Sequence, residues 1–381
     1  MLQSSDTPPY GGSVREIDVA KIERELVRLL QRPEYQSTSG QPGVRTAVLN
    51  LVAYASDRPT LGRITETLAA LANHHPSRTI VVLADPNAPV VDIEAWVQVQ
   101  CKRVGTNGLS VCAEQIVLEA PPSAARRVPN AVLPLLLADL PVVLWWPGEP
   151  PLRDPVLYDL LEAAYRFVVD TSQGTHLERY LTQLSGLRRR PGLSVDLVDL
   201  NWERLLPWRE LIAQFWDVPA WRSSLRGLDR VEIDLGRPPG GRSNRSQGLL
   251  IAGWLASRLG WTPQRIQRLS DGYSLTVRRP GGSVAFEIRI APAPVAGLRG
   301  VRCYVDTARH HSSWEVRAAG DESAEIQVRR DGAVIGAPRI ARLETYREPE
   351  LVARALDTLR GEMVFEDALD AVATWLTLHA R

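Results

Sequence analysis

Two largely apolar runs, 45–55 (RTAVLNLVAYA) and 79–84 (TIVVLA), flank a stretch in which Leu61, Ile64, Leu68 and Leu71 recur at helical spacing. A strand that is apolar at every position has no face to give to water, so it belongs inside a sheet covered on both sides. The order strand, helix, strand then calls for a Rossmann-like, mostly parallel α/β sheet with helices on both faces. The pattern returns twice: a helix over 128–139 feeds a strand at 142–146, and a helix over 157–165 feeds one at 167–170. Between these, 96–104 alternates, with Val97, Val99 and Cys101 on one face, which predicts a half-buried strand. Asn107-Gly108 reads as the tight turn of a hairpin, because both residues tolerate positive φ.

The character changes at Arg188-Arg189-Arg190-Pro191. A Trp-rich helical segment (201–221) leads to a strand at 231–235, a loop at 236–247 and a helix at 248–259. Short alternating segments follow at 274–278, 284–290, 300–307, 313–318 and 325–329, with Gly281-Gly282 and Asp331-Gly332 as hairpin turns. This half reads as an α+β domain with a largely antiparallel sheet, closed by a helix at 348–360 and a tail at 363–378. Near the start, Ile22, Leu26, Leu29 and Leu30 mark an amphipathic helix, and Pro, Ser and Gly make 32–43 a linker. The expected division is therefore 1–43 (helix and linker), 44–190 (α/β) and 191–381 (α+β), in keeping with two domains for 381 residues.

Composition excludes more than it selects. With 45 Lys+Arg against 44 Asp+Glu, no overall field draws the chain to nucleic acid or an anionic membrane. The longest apolar run, 132–146, is broken by Pro134, Asp139 and Pro141 and cannot form the ~20-residue helix that crosses a bilayer. Residues 1–12 show no signal-like pattern. The three cysteines make neither a disulfide framework nor a CxxC pair, and with no signal-like or bilayer-spanning run a cytoplasmic setting is expected. Neither GxGxxG nor GxxxxGK[ST] occurs, and no cofactor is expected. There is no GxSxG elbow. The pairs His74-His75 and His310-His311 lack the i,i+4 spacing of a helical metal site. Asp85 and Asp170 stand at strand ends, where an acid serves catalysis or helix capping equally well.

Trp145 and Trp146 end a strand and are followed at once by Pro147-Gly148-Glu149-Pro150-Pro151. The carboxyl ends of strands form the binding edge of open α/β sheets. Strand alternation is expected to bury one indole and leave the other near the rim. A second aromatic group, Trp202 to Arg204 and Pro207-Trp208-Arg209, reads either as packing or as a surface for a partner. In the loop 237–246, Arg242 and Arg245 with the amides of the following helix can hold a phosphate; the alternative is a solvated loop. Cys101 and Cys112 raise a redox switch. A two-residue turn at Asn107-Gly108 sets Arg103 opposite Cys112 and Cys101 opposite Glu114. That leaves the cysteines on diagonal neighbours about 7–8 Å apart, beyond disulfide reach. Two buried thiols are expected, with Cys303 a similar strand residue.

The strings RTAVLNLVAYA, HHPSRTIVVLAD, LPLLLADLPVVLWWPGEPP, FVVDTS, DLNWERLLPWRELIAQFWD and GLLIAGWLASRLGW, in that order, resemble the OpcA family of glucose-6-phosphate dehydrogenase assembly proteins. The resemblance runs from about Arg45 to the C-terminal helix. It implies an accessory protein, not an enzyme, that assembles or allosterically activates that dehydrogenase in the oxidative pentose phosphate pathway through protein–protein contact. The motifs single out Trp145, Trp146, Pro147, Gly148, Glu149, Trp202, Arg204, Trp208 and Arg209 as contact or contact-supporting residues. Cyanobacterial members add redox control through cysteines; with none beyond Cys303 here, that control is not expected to carry over. Two rivals stay open. One is a sugar-phosphate enzyme, such as a 6-phosphogluconolactone hydrolase, using a strand-end acid and the Arg242/Arg245 loop. The other is a sugar-phosphate or nucleotide sensor working through that loop.

Overall fold

Continuous apolar runs give buried strands throughout the first half of the chain. The computed structural model describes residues 12–14, 18–36, 44–72, 75–87, 90–104, 109–320, 322–357 and 363–379. They divide into two units: one contains the chain to Asp170 with Pro191–Val198 and Glu348–Gly361, the other Thr171–Arg190, Asp199–Arg347 and the chain from Glu362. The chain thus passes between the units several times rather than once.

The first unit contains β1 (Gly12–Val14), α1 (Val19–Leu30), β2 (Val44–Arg45), β3 (Leu49–Ala55), α2 (Arg58–Leu71), β4 (Ser77–Leu83), β5 (Glu94–Val104) and β6 (Leu109–Glu119). It continues with α3 (Val128–Val132), β7 (Val142–Trp146), α4 (Pro155–Ala163), β8 (Arg166–Val169) and β9 (Asp196–Asp199), whose last residue is counted with the second unit. The strand order is β1-β5-β6-β4-β3-β7-β8-β9, with β2 beside β6. From β6 to β8 neighbours run parallel, while β5 and β1 add an antiparallel edge. Every residue of β4 and β8 is buried, as expected for strands covered on both faces. The helix predicted over 128–139 stops at Val132 and tightens into a 3-10 turn, Leu133–Leu135. Pro134, without an N–H, cannot continue an α-helix. Asn50, fully buried in β3, holds the following loop by donating to Leu137 O (3.0 Å) and Leu140 O (3.2 Å) and accepting from Leu137 N (2.8 Å). Helix Glu348–Asp357 packs on α2, and Arg166 donates to Ala355 O at 2.9 Å.

The β5–β6 hairpin corrects the cysteine expectation. Val104 pairs with Leu109, so four residues separate the strands and Cys101 lies directly opposite Cys112. Their Cα atoms are 4.0 Å apart and the sulfurs form a disulfide. Asn107-Gly108 itself lies outside the described residues. Cys303 is a buried free thiol, as expected.

The second unit contains α5 (Leu177–Arg188), α6 (Leu200–Arg204), α7 (Leu206–Ala213), α8 (Arg222–Leu225), β10 (Arg230–Arg237), α9 (Arg245–Arg258), β11 (Thr262–Leu269), β12 (Gly272–Arg279) and β13 (Gly282–Pro292). Then follow β14 (Gly297–Asp306), β15 (His311–Ala318), β16 (Ser323–Arg330), β17 (Ala333–Val334), β18 (Arg339–Arg342) and the helix Met363–His379. The order is β11-β12-β13-β10-β14-β15-β16-β17, with β18 beside β16, and the strand pairs are antiparallel except β10–β13. Alternation governs burial. Val231, Ile233 and Leu235 of β10 and Val284, Phe286, Ile288 and Ile290 of β13 are buried, while Glu287 and Arg289, which alternate with them, reach water. Asp331-Gly332 forms the expected two-residue turn, with φ of 50° and 81°. The β12–β13 turn sits one residue earlier than expected, at Pro280-Gly281. Helix α9 is buried along most of its length and packs on the sheet and on Met363–His379. A Cβ at Gly253 would lie 2.3 Å from Ala368 O, so only glycine permits this approach. No helix among the described residues is long and apolar enough to cross a membrane.

Candidate functional site

Where β10 ends at Arg237, the loop Pro238-Pro239-Gly240-Gly241, with Gly240 at φ +67°, turns the chain toward α9. Asn244 occupies the N-cap of α9 but makes no capping hydrogen bond with its side chain. An Asn at that position ordinarily accepts from a first-turn amide. Here the side chain is committed to a buried polar network. Asn244 Nδ2 donates to Asn201 Oδ1 (2.7 Å), and Asn201 Nδ2 reaches Ser246 Oγ (2.7 Å), Asn244 Oδ1 (3.1 Å) and Thr171 Oγ1 (3.1 Å). Asp199, the last residue of β9, accepts from Thr171 N (2.9 Å), Thr171 Oγ1 (2.7 Å) and Asn201 N (3.0 Å). Gln247 donates to Asn201 Oδ1 (3.1 Å) and accepts from Leu298 N (2.7 Å). Asn201, Thr171, Asp199 and Ser246 are all at most 1% exposed, so each polar group must find its partner inside the protein, and each does.

Above this floor opens a cavity of about 350 Å³ whose lining includes Arg237, Arg242, Arg245, Arg268 and Glu178. Thr171, Ser172, Thr175, Ser243 and Ser246 add hydroxyl-bearing wall, and the apolar contribution is Leu177 and Ile290. Arg242 donates to Gly174 O at 2.9 Å. Glu178 accepts from Tyr273 Oη (2.8 Å) and pairs with Arg268 at 3.2 Å. Burial works to raise the Glu178 carboxyl, but the Tyr273 hydrogen bond and the nearby arginines outweigh it and hold it below the usual carboxylate range. The same burial and the same carboxylate push the Tyr273 phenol up.

The sequence-derived candidates distribute unevenly. Arg242 and Arg245 do meet, in this cavity, joined by Arg237 and Arg268, which the sequence did not single out. Both indoles of Trp145-Trp146 are buried, at 0% and 6% exposure, in place of one core and one rim indole. Trp146 stacks on Tyr54 with ring centroids 3.9 Å apart. Pro147 is buried and Gly148 and Glu149 are half-buried. Trp202 and Trp208 are core residues, and Arg209, also buried, lies with its guanidinium 3.7 Å from the Trp202 ring centroid. Arg204 is half-buried. Of the nine motif residues, then, surface is offered by Gly148, Glu149 and Arg204. Asp85 accepts from Asn87 N, a local turn contact. Cys101 and Cys112 are joined, and burial raises the Cys303 thiol to about 12, which leaves it unreactive. Thr171 and Ser172 open a 3-10 turn, and the N-cap of α5 is His176. The network residues Asp199, Asn201 and Ser246 carry no local motif that singles them out in the sequence.

Comparison with known proteins adds a family. A model described as the glucose-6-phosphate dehydrogenase subunit N-terminal domain matches residues 68–186. One described as the C-terminal domain of that subunit matches residues 195–369. The OxPP cycle protein OpcA of Nostoc punctiforme is 32% identical over 209 residues, 54% of this chain and 43% of that protein. Its counterpart in Synechocystis sp. is 33% identical over 202 residues, 52% of this chain and 40% of that protein. The match thus spans less than half the length of these curated relatives. A solved 3-ketoreductase from Actinomadura kijaniata, in complex with TDP-benzene and NADP, superposes with a TM-score of 0.49 at 12% identity, covering 86% of this chain and 96% of that one. A likeness of that size carries nothing to the chemistry of this chain.

Proposed function

Because the chain belongs to the OpcA family of glucose-6-phosphate dehydrogenase assembly proteins, we propose that it acts as an accessory protein, binding that dehydrogenase and favouring its assembled, active form. One observation carries the reading: two models for domains of that dehydrogenase's subunit match in order, over 68–186 and 195–369. The protein contributes binding energy and not chemistry. A partner that binds the active form tenfold more tightly than the inactive one shifts their balance by about 1.4 kcal/mol. The buried Trp145, Trp146, Trp202 and Trp208 act as supports in this reading, holding the half-buried Gly148, Glu149 and Arg204 in place.

The test is direct. Purified dehydrogenase from the same organism is assayed with and without this protein, and the mixture is sized by analytical ultracentrifugation. The proposal expects a co-sedimenting complex and a rise in kcat or a fall in KM. Unchanged activity, unchanged KM and separate sedimentation together would end it.

A further inference from the structure

The cavity at the head of α9 has a charge balance that the protein alone does not resolve. Four guanidinium groups, from Arg237, Arg242, Arg245 and Arg268, share it with the single carboxylate of Glu178. That carboxylate pairs with Arg268, accepts from Tyr273 Oη and also feels the charge of Arg245. Among the described residues, no carboxylate lies within ion-pair distance of Arg237 or Arg245. Arg237, Arg242 and Arg268 are exposed, so water screens part of their mutual repulsion, and a bound anion relieves it further. Three more observations aim at the same place. The first turn of α9, a 14-residue helix, has no side-chain cap, because Asn244 is turned into the network below. Its amides and the helix dipole therefore face the cavity with positive charge. Ser243 Oγ, on the cavity wall, is buried with no hydrogen-bond partner among the described residues. Finally, the network through Asp199, Thr171, Asn201 and Ser246 fixes the helix start, so the donors are positioned before any ligand arrives.

We propose that this cleft binds a small phosphomonoester. Its phosphate docks on the arginines and the α9 amides, and its hydroxyl-bearing body lies against the Ser and Thr side chains. A phosphate dianion, with three acceptor oxygens, satisfies several guanidinium and amide donors at once. A volume of about 350 Å³ falls within the range of pockets that hold whole metabolites, more room than a bare phosphate needs. The wall selects the body. It carries hydroxyls and no aromatic ring, so it suits a polyol and offers no platform on which a nucleobase could stack. The site stands independently of the dehydrogenase reading, and its test contains no dehydrogenase.

The experiment is isothermal titration of the full chain in buffer of fixed ionic strength, with three probes: glucose 6-phosphate, inorganic phosphate and glucose. Glucose 6-phosphate is expected to bind saturably and more tightly than inorganic phosphate, while glucose gives no heat at the same concentrations. Arg245→Gln should weaken glucose 6-phosphate about tenfold or more, the scale of a lost charge-assisted contact. Ser243→Asp, which adds a carboxylate to the wall and removes no arginine, should do the same. Arg329→Gln, on an exposed residue outside the cavity, should change nothing. Thermal melts of each variant establish that it is folded. Absence of saturable binding by either phosphate overturns the proposal. Equal affinity for inorganic phosphate and glucose 6-phosphate overturns the claim on the body. Full affinity in both folded cleft variants places the ligand elsewhere and overturns the site.

Discussion

Asn201→Ala tests whether the buried network is what fixes the start of α9. The side chain is fully buried and links four neighbours: it donates to Ser246 Oγ, Asn244 Oδ1 and Thr171 Oγ1 and accepts from Asn244 Nδ2 and Gln247 Nε2. Two amide protons can serve two of the three acceptors at a time, so about four hydrogen bonds are lost. At a net of about 1 kcal/mol each, less what local relaxation recovers, the cost comes to roughly 3 kcal/mol. Two units with separate cores need not unfold in one step, so a single melting curve is a poor assay. Native-state hydrogen exchange reads the loss locally. The amides of α9 should lose about 3 kcal/mol of protection while those of β3 and β4 keep theirs. A loss below about 1 kcal/mol would mean that Ser246, Asn244 and Gln247 hold their places without Asn201, and the reasoning fails. An equal loss in β3 and β4 would refute it as well, since the network belongs to the other unit.

Gly253→Ala should cost about 1–3 kcal/mol in urea unfolding, because the new Cβ would meet Ala368 O at 2.3 Å and Val372 Cγ2 at 2.8 Å; a neutral or stabilising result would deny the close approach of the two helices. Cys101→Ser opens a disulfide between residues 11 apart in sequence and should cost about 2–3 kcal/mol, a loss that dithiothreitol reproduces in the wild type and does not deepen in the variant. For Glu178 the sign follows from its lowered folded-state value. Its contribution is complete above the ordinary glutamate range, about 4.3, and fades as pH falls through the lower folded value. Glu178→Gln should therefore lower Tm at neutral pH and converge with wild type only in strong acid; a gap that closes already near pH 6 would contradict it.

The sheet of the first unit was legible because its strands announce themselves by composition alone. β3, β4, β7 and β8 each carry an unbroken apolar stretch of three or more residues and need no partner to be recognised. The strands β12 to β16 were as plain, by alternation. What the pattern misjudged was the meaning of alternation inside a doubly covered sheet. Trp145 and Trp146 do point to opposite faces, but both faces are core, so neither indole is left at the rim. The disulfide failed for a different reason. Register depends on turn length, and a loop of four residues in place of two brings Cys101 from Glu114 to Cys112. The candidate site was half visible. Arg242 and Arg245 stand out beside a helix start, but Thr171, Asp199 and Ser246 are 28 and 75 positions apart in the bonds that join them to one another, and no local pattern encodes such distances.

The string DLNWERLLPWRELIA gains a physical reading from where its side chains go. Asp199 and Asn201 turn into the polar network under α9. Trp202 packs on Phe365 and carries the Arg209 guanidinium on its ring, while Leu211 and Ile212 join the core. A stretch so rich in tryptophan and arginine has the composition of an interface hot spot. Burial assigns it the opposite task here. Its Asp199 and Asn201 join the floor on which the α9 cleft rests, and its aromatic area is spent inside one unit. On the proposed cleft, Asn201→Ala in a folded variant should weaken glucose 6-phosphate binding, because Asn201 joins the network beneath α9; unchanged titration would deny that link.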